Sequence, residues 1–330
     1  MGIGPHEKMK QITLTGTELT TSILGFGCSA LLGEKTKAEG LELLCTAFDS
    51  GIRYFDVARM YGYGEAEAVV GELARGRRHE VIIATKFGIE PTAPAAMNGP
   101  VRTAIRKLMK ISPKVRSVIS RRAIAALKTG RFQPGAAARS LETSLRTLGT
   151  DYIDIYLLHD CTVADTLSDE LLSFLQQARR DGKIRYFGVG TGINDVMRIC
   201  SQRPEFASIV QFASSVLEPH PEDVEAPGAV VTHGSLAGSY AALSAFLRNS
   251  PDLAGEWSVR LGADCRDSDC LAGLMLSYAV SVNARGPVLF RSSRVSVIRS
   301  NARLVDEGRY SPRQVHEFAS LAAESNVQPC

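Results

Sequence analysis

The sequence has 330 residues, of which 45% are hydrophobic and 22% charged, with a formal net charge of +3 at pH 7. These values are typical of a globular chain, and no apolar run approaches the roughly 18 residues of a membrane-spanning helix. Because residues 1–10 also lack an apolar signal segment, we expect a cytoplasmic protein without a membrane span. Seven cysteines without a C-x-x-C pair argue against a disulfide framework, and six scattered histidines give no metal-ligand spacing.

Short apolar or β-branched runs alternate with helical stripes along the chain. Residues 11–25 predict a small hairpin, broken at Gly16, that runs into a first strand. Further strands are predicted at 52–55, 81–85, 153–158, 184–189, 209–212, 230–232 and 287–290. Helices are predicted at 35–50, 65–75, 136–148, 165–181, 194–200, 236–247, 268–282, 299–306 and 312–324. Eight short strands separated by helices predict an α/β fold, a closed (β/α)8 TIM barrel over residues 1–330. The first strand is not followed by G-x-G-x-x-G, which argues against an open dinucleotide-binding sheet.

Ionisable side chains stand where the predicted strands end. Asp56 ends the second strand and Tyr61 lies in the glycine-rich loop that follows it. Lys86 ends the third strand and His159 ends the fourth. Each residue alone has a plain structural explanation, such as a helix cap or a buried barrel-end histidine. Together they are expected to converge at the carboxyl-terminal face of the barrel, where enzymes of this fold carry their chemistry.

Several sequence blocks in the same order carry a resemblance to a known family. The blocks are Gly51-Ile52-Arg53-Tyr54-Phe55-Asp56-Val57-Ala58, Tyr61-Gly62, Gly64-x-x-Glu67, Ala84-Thr85-Lys86-Phe87-Gly88, Leu141-Glu142-x-Ser144-Leu145-x-x-Leu148-Gly149-Thr150-Asp151-Tyr152-Ile153-Asp154, Leu157-Leu158-His159 and Gly182-Lys183-Ile184-Arg185-Tyr186-Phe187-Gly188-Val189. Over residues 10–325 the chain resembles the aldo-keto reductase superfamily. The resemblance implies an NADP(H)-dependent oxidoreductase that transfers a hydride between nicotinamide and an aldehyde, a ketone or a sugar.

The resemblance also implies a role for each of the four residues. Tyr61 would be the general acid or base, and the ammonium of Lys86 would lower the pKa of its phenol. Asp56 would hold Lys86, and His159 would donate a hydrogen bond to the substrate oxygen. The Gly-Val-Gly at 188–190 is similar to that of bacterial aldose dehydrogenases, so the direction of reaction stays open. The alternative is a nicotinamide-nucleotide-binding regulatory module with little turnover, like the potassium-channel β subunits of this fold.

Cofactor contacts are implied residue by residue. The expected cofactor-binding residues are Gly27, Asp56, Thr191, Gln211, His233, Gly234, Leu236, Arg291, Ser292 and Asn301. Gly190 stands where the family usually has a serine, His233 takes the place of the stacking aromatic, and Val297 replaces a common phosphate-binding arginine. Arg291 and Ser292 match positions that hold the 2'-phosphate, so NADP(H) is favoured over NAD(H).

A basic insertion follows the third strand. Pro91 to Arg139 contains eleven lysines and arginines and no acid, which leaves a net charge of −8 on the rest of the chain. Helical spacing within residues 91–135 predicts two basic amphipathic helices. They form either a solvated face or a lid that draws an anionic or carrier-bound substrate to the site. Nucleic acid is not expected as a partner, and the expected substrate loops are residues 89–134, 213–227 and 248–266.

Overall fold

The structure is a computed structural model that describes residues 9–32, 35–91, 131–219 and 224–329. Residues 92–130, which hold most of the predicted basic insertion, lie outside the described part. The two predicted basic helices and the lid therefore stay predictions.

The described strands form a hairpin and a barrel. The hairpin pairs β1 (Gln11–Thr13) with β2 (Thr20–Ser22) in antiparallel register. The barrel strands are β3 (Leu24–Gly27), β4 (Tyr54–Asp56), β5 (Ile82–Phe87), β6 (Ile153–His159), β7 (Ile184–Gly190), β8 (Ile209–Ala213), β9 (Ala229–His233) and β10 (Val288–Phe290). All eight described barrel strands run parallel and close in the order β10-β3-β4-β5-β6-β7-β8-β9, which confirms the predicted fold.

Helices follow the strands and surround the barrel. They are α1 (Lys37–Asp49), α2 (Ala66–Ala74), α3 (Pro134–Leu148), α4 (Asp169–Arg180), α5 (Ile193–Gln202), α6 (Ala237–Asn249), α7 (Pro251–Leu261), α8 (Ser268–Val282), α9 (Val295–Asp306) and α10 (Pro312–Glu324). Among the described helices, none combines the length and the apolar character needed to cross a membrane.

The hairpin closes one mouth of the barrel. Leu14 and Leu19, at its turn, are fully buried and pack in one cluster with the inward-facing Tyr54, Ile155 and Leu289. The backbone N–H of Thr15 donates to the carbonyl of Arg285 at 3.2 Å, just before β10 begins. Because the hairpin covers the amino ends of the strands, the carboxyl ends at the opposite mouth stay available for a site.

Residues 248–266 differ from the expectation of a substrate loop. They contain α7, which begins at Pro251 and ends before Gly262 in the left-handed conformation. Trp257 of α7 packs against Phe318 of α10 with ring centroids 6.3 Å apart, inside a second apolar cluster. Proline in the first turn and glycine past the last turn are ordinary helix boundaries. Because α7 packs against α10, the segment forms part of the outer wall of the barrel. The predicted helix at 299–306 likewise begins earlier, at Val295.

The carboxyl-terminal end of the predicted insertion, from residue 131 onward, packs against the barrel. Phe132 is buried, and its ring meets that of Phe87 edge-on at 5.8 Å between centroids. Gly88 has a φ of +108°, and a Cβ there would lie 2.3 Å from the Phe132 ring. Glycine is therefore required at residue 88 both for its backbone conformation and for the close approach of the aromatic ring.

Candidate active site

A buried ion pair forms the base of the candidate site. Lys86, one residue before the end of β5, donates to Asp56, the last residue of β4, with 2.5 Å between Nζ and Oδ1. Lys86 also donates to the carbonyl of Val57 at 3.2 Å. The side chains are only 3% and 6% exposed. Burial by itself acts to lower the pKa of Lys86, but Asp56 and Tyr61 outweigh it and the pKa is raised. The lysine is therefore held as an ammonium ion.

Tyr61 lies over this ion pair. It begins a 3-10 turn, Tyr61–Gly64, in the loop after β4, and the Lys86 Nζ lies 5.3 Å from the centroid of its ring. Burial raises the pKa of Tyr61 above its usual value of 10, although the charge of Lys86 and its hydrogen bond act to lower it. The expected lowering by Lys86 is thus present but smaller than the effect of burial. The phenol consequently keeps its proton at neutral pH.

A second buried acid fixes the loop that carries Tyr61. Glu67 in α2 accepts a hydrogen bond from Arg59 at 3.1 Å and another from Thr85 at 2.8 Å. Gly62 has a φ of +58°, and a Cβ there would lie 3.0 Å from the side chain of Leu32. Thr85 is the neighbour of Lys86 in β5, so Glu67 connects the loop that carries Tyr61 to the strand that carries Lys86.

His159 completes the group. It ends β6, and its ring meets that of Tyr61 edge-on, with centroids 5.9 Å apart and an angle of 86° between planes. Burial, together with the charges of Lys86 and His233, lowers the pKa of His159 to about 3. The imidazole is therefore neutral near pH 7 and carries one N–H. Within the described residues its Nδ1 has no hydrogen-bond partner.

The four residues line one cleft of about 1120 Å³ at the carboxyl ends of the strands. This volume exceeds that of common small-ligand pockets, so the cleft is large enough for an extended ligand. The structure brings together the predicted Asp56, Tyr61, Lys86 and His159 as the sequence led us to expect. Nine of the ten predicted cofactor residues, all except Ser292, line the same cleft.

The predicted carboxamide-binding residues lie at the ends of β7 and β8. Gln211 is 3% exposed, and within the described residues its Oε1 has no partner. A Cβ on Gly190 would lie 3.7 Å from that oxygen, so the glycine leaves free space beside it. The Thr191 hydroxyl donates its proton to the carbonyl of Cys161 at 2.7 Å, so Thr191 can offer a ligand only an acceptor. The Thr191 hydroxyl can therefore accept a hydrogen bond from a ligand but cannot donate one.

The other end of the cleft lies beyond β9 and β10. His233 and Gly234 border it, and Leu236 precedes α6 there. Burial is the main cause that lowers the pKa of His233. Asn301 in α9 is buried, and within the described chain its Nδ2 has no partner. The exposed Arg291 borders the cleft, 3.5 Å from the Ser29 hydroxyl.

Ser292 does not line the cleft. Its hydroxyl bonds the backbone of Arg294, donating to the carbonyl at 3.2 Å and accepting from the N–H at 3.0 Å. The hydroxyl therefore stabilises the turn before α9. Arg294, which is not among the predicted cofactor residues, lines the cleft instead.

Sequence reasoning missed other lining residues. Ser235, between two predicted residues, is 2% exposed, and no described residue bonds its hydroxyl. Its position in the loop after β9 was a signal that could have identified it. Ser268 and Asp269, at the start of α8, also line the cleft. They lie at the start of the helix predicted at 268–282, and no sequence signal marks them as lining residues.

Comparison with known proteins identifies the family. The model of the Aldo/keto reductase family matches residues 23–225. The chain therefore belongs to the aldo/keto reductase family, which confirms the resemblance seen in its sequence blocks. A solved structure with the same fold is aldo-keto reductase AKR11C1 from Bacillus halodurans in its holo form, with a TM-score of 0.70 and 21% identity. That match covers 95% of this chain and 96% of the other.

Curated relatives are similar over part of their length. The uncharacterized oxidoreductase YqkF of Bacillus subtilis is 29% identical over 218 residues, 65% of this chain and 59% of the relative. The aldo-keto reductase yakc [NADP(+)] of Schizosaccharomyces pombe is 27% identical over 208 residues, 60% of this chain and 51% of the relative. The NADH-specific methylglyoxal reductase of Escherichia coli is 27% identical over 219 residues, 64% of this chain and 60% of the relative. The chain thus spans between half and three-fifths of these relatives.

Proposed function

We propose that the protein is an NADP(H)-dependent oxidoreductase that interconverts a carbonyl compound and its alcohol, with Tyr61 as general acid and base. One observation carries the proposal: the phenol of Tyr61, an ammonium paired with a buried carboxylate and a neutral imidazole meet in one cleft. The family membership supports the same class of reaction.

The pKa shifts of Tyr61, Lys86 and His159 suit the transfer of a proton from Tyr61 to a substrate oxygen. Tyr61 holds its proton at neutral pH because burial raises its pKa, so it can protonate an oxygen that gains negative charge. The phenolate that remains would be stabilised by Lys86, whose charge is secured by Asp56. His159, as a neutral imidazole, would donate one hydrogen bond to the same oxygen and orient it. A bound nicotinamide would supply or accept the hydride.

Unpartnered polar atoms support a nicotinamide dinucleotide as the cofactor. Buried polar groups normally have hydrogen-bond partners, so orphaned atoms in a cleft indicate ligand contacts. Besides His159 Nδ1, the described residues that line the cleft carry three such atoms: Gln211 Oε1, Ser235 Oγ and Asn301 Nδ2. Gln211 would hold the carboxamide near Tyr61, and Asn301 the adenine.

Two arginines at the far end favour NADP(H) over NAD(H). Arg291 and Arg294 both line the cleft after β10, and guanidinium groups suit phosphate oxygens. Among the relatives, one is named for NADP(+) and another is NADH-specific, so the preference rests on these side chains. Ser292 is left out of the phosphate contact, because its hydroxyl is bonded to Arg294.

A cofactor titration followed by a substrate screen tests the proposal. NADPH should bind with quenching of protein fluorescence, and turnover should appear with a panel of aldehydes, ketones and sugars. Both directions are assayed, since oxidation of a sugar would run the same proton transfer in reverse. Tight cofactor binding without turnover of any member would favour a nucleotide-binding regulatory module. Absence of cofactor binding would refute the proposal.

A further inference from the structure

Asp160, which follows the candidate His159, has an unusual and well-fixed backbone. Its φ of +55° lies in the left-handed region, which few residues other than glycine, asparagine and aspartate adopt. The N–H of Asp160 donates to the carbonyl of Gly190 at 2.8 Å. The carbonyl of the next residue, Cys161, accepts the hydrogen bond from Thr191. The end of β7 therefore holds the backbone on both sides of Asp160.

The side chain of Asp160 lines the cleft and is exposed there. In the described part of the chain it makes no side-chain hydrogen bond or ion pair, whereas Asp56 in the same cleft is paired with Lys86. A carboxylate is an acceptor-only group with two oxygens. Asp160 thus presents free acceptors to a ligand in the cleft that His159 also lines.

Charges divide the cleft into two sides. In the closed barrel β6 lies opposite β10, four strands away in either direction. Asp160 follows β6, whereas Arg291 and Arg294 follow β10, where the cofactor phosphates would lie. Among the described lining residues, the lysine nearest to Asp160 in strand order is Lys86, and its charge is matched by Asp56. Among the described residues, the unpaired charge on the side of the cleft that remains for substrate is therefore the carboxylate of Asp160.

We propose that Asp160 is a specificity residue that selects an uncharged, hydroxyl-bearing carbonyl substrate and rejects one bearing a phosphate or a carboxylate. This inference rests on the proposed function and names the substrate class of the same site. A hydroxyl next to the carbonyl donates to the Asp160 carboxylate in a charge-assisted bond. An anionic substituent at that place meets a like charge, which discriminates against it. The inference opposes the anionic substrate that the basic insertion led us to consider.

Three aldehydes and one substitution test the inference. Propanal, glyceraldehyde and glyceraldehyde 3-phosphate share an aldehyde and differ by hydroxyl groups and then by charge. Asp160→Asn removes the charge, keeps the shape, and tolerates the left-handed backbone. The control is Glu170→Gln, an exposed acid in the first turn of α4 that lies outside the cleft. For each protein, kcat, KM and the NADPH Kd are measured.

With wild type, kcat/KM should be highest for glyceraldehyde. Asp160→Asn should lower the preference for glyceraldehyde over propanal about tenfold, because the amide oxygen still accepts a hydrogen bond but without the charge that strengthens it. It should also raise the activity on glyceraldehyde 3-phosphate relative to glyceraldehyde, mainly through KM. The NADPH Kd should stay within about twofold, and Glu170→Gln should leave the three activities in the wild-type ratio.

The contrary outcomes separate two failures. If wild type reduces propanal and Asp160→Asn leaves the three activities in the same ratio, the role of Asp160 is refuted and the proposed function stands. If Asp160→Asn weakens NADPH binding as much as it lowers activity, the residue serves the cofactor and the inference is again refuted. If wild type turns over none of the three aldehydes and no member of the wider screen, the proposed function fails, and the substrate role of Asp160 fails with it.

Discussion

Replacing Lys86 with methionine should destabilise the fold as well as abolish turnover. The change leaves the Asp56 carboxylate in a place where it is only 6% exposed and has lost the ammonium that lay 2.5 Å away. At an effective dielectric constant of about 20, two unit charges at about 4 Å attract by about 4 kcal/mol, which sets the scale of the lost attraction. Removing one member of a buried pair costs about 3 to 5 kcal/mol in measured cases. We expect a loss of unfolding free energy in that range.

The double variant Lys86→Met with Asp56→Asn is the matched control. It removes both charges, so no buried carboxylate is left uncompensated, and most of the lost stability should return. Urea denaturation of the wild type, both single variants and the double variant gives the coupling energy between the two sites. Turnover should stay absent in every variant that lacks Lys86. A single variant that loses less than about 1 kcal/mol would contradict the reasoning, because such a value belongs to exposed pairs.

Two further predictions concern His159 and Arg291. The pKa of His159 is about 3 in the folded protein and about 6.5 when unfolded, so the unfolded state binds more protons between these values and stability falls as pH falls through that window. Between pH 7 and pH 5 the unfolding free energy should drop about 2 kcal/mol less in His159→Gln than in wild type. Arg291→Ala should weaken NADPH binding by about 1.5 to 3 kcal/mol and NADH binding much less, because only NADPH carries the 2'-phosphate. Arg299→Ala, in α9 but outside the cleft, is the control in the same fluorescence titration. If Arg291→Ala weakens the binding of both cofactors equally, Arg291 does not bind the 2'-phosphate.

The barrel and the four central residues could be predicted because they depend on local pattern. Strand and helix periods repeat along the chain, and parallel strands place their carboxyl ends at one mouth. Asp56, Lys86 and His159 could therefore be brought together from their positions at strand ends alone. The family resemblance added their chemical roles.

The finer properties of the site depend on distances that no sequence pattern encodes. The net direction of the Tyr61 pKa follows from the balance between burial and the Lys86 charge. The Thr191 hydroxyl is committed to Cys161, thirty residues away in sequence, and Ser292 is committed to its own turn. The position of the Asp160 carboxylate in the cleft likewise depends on the pairing of β6 with β7, which the sequence pattern does not encode.

The helix α7 was missed for a different reason. Pro251 at its start and Gly262 after its end were readable in the sequence. Residues 248–266 do not resemble the family blocks, and this lack of resemblance is what favoured a substrate loop there. Proline and glycine at these positions indicate a helix even where a segment does not resemble the family.

The central claim is that Tyr61 is the proton donor in a cleft built for a nicotinamide cofactor. The most direct measurement compares Tyr61→Phe with wild type in steady-state reduction of the best carbonyl substrate from the screen, together with the NADPH Kd. The substitution removes one hydroxyl and leaves the ring against His159, so the Kd should stay within about twofold while kcat falls at least about a hundredfold. A variant that keeps most of its kcat would contradict the claim, because another group would then be donating the proton.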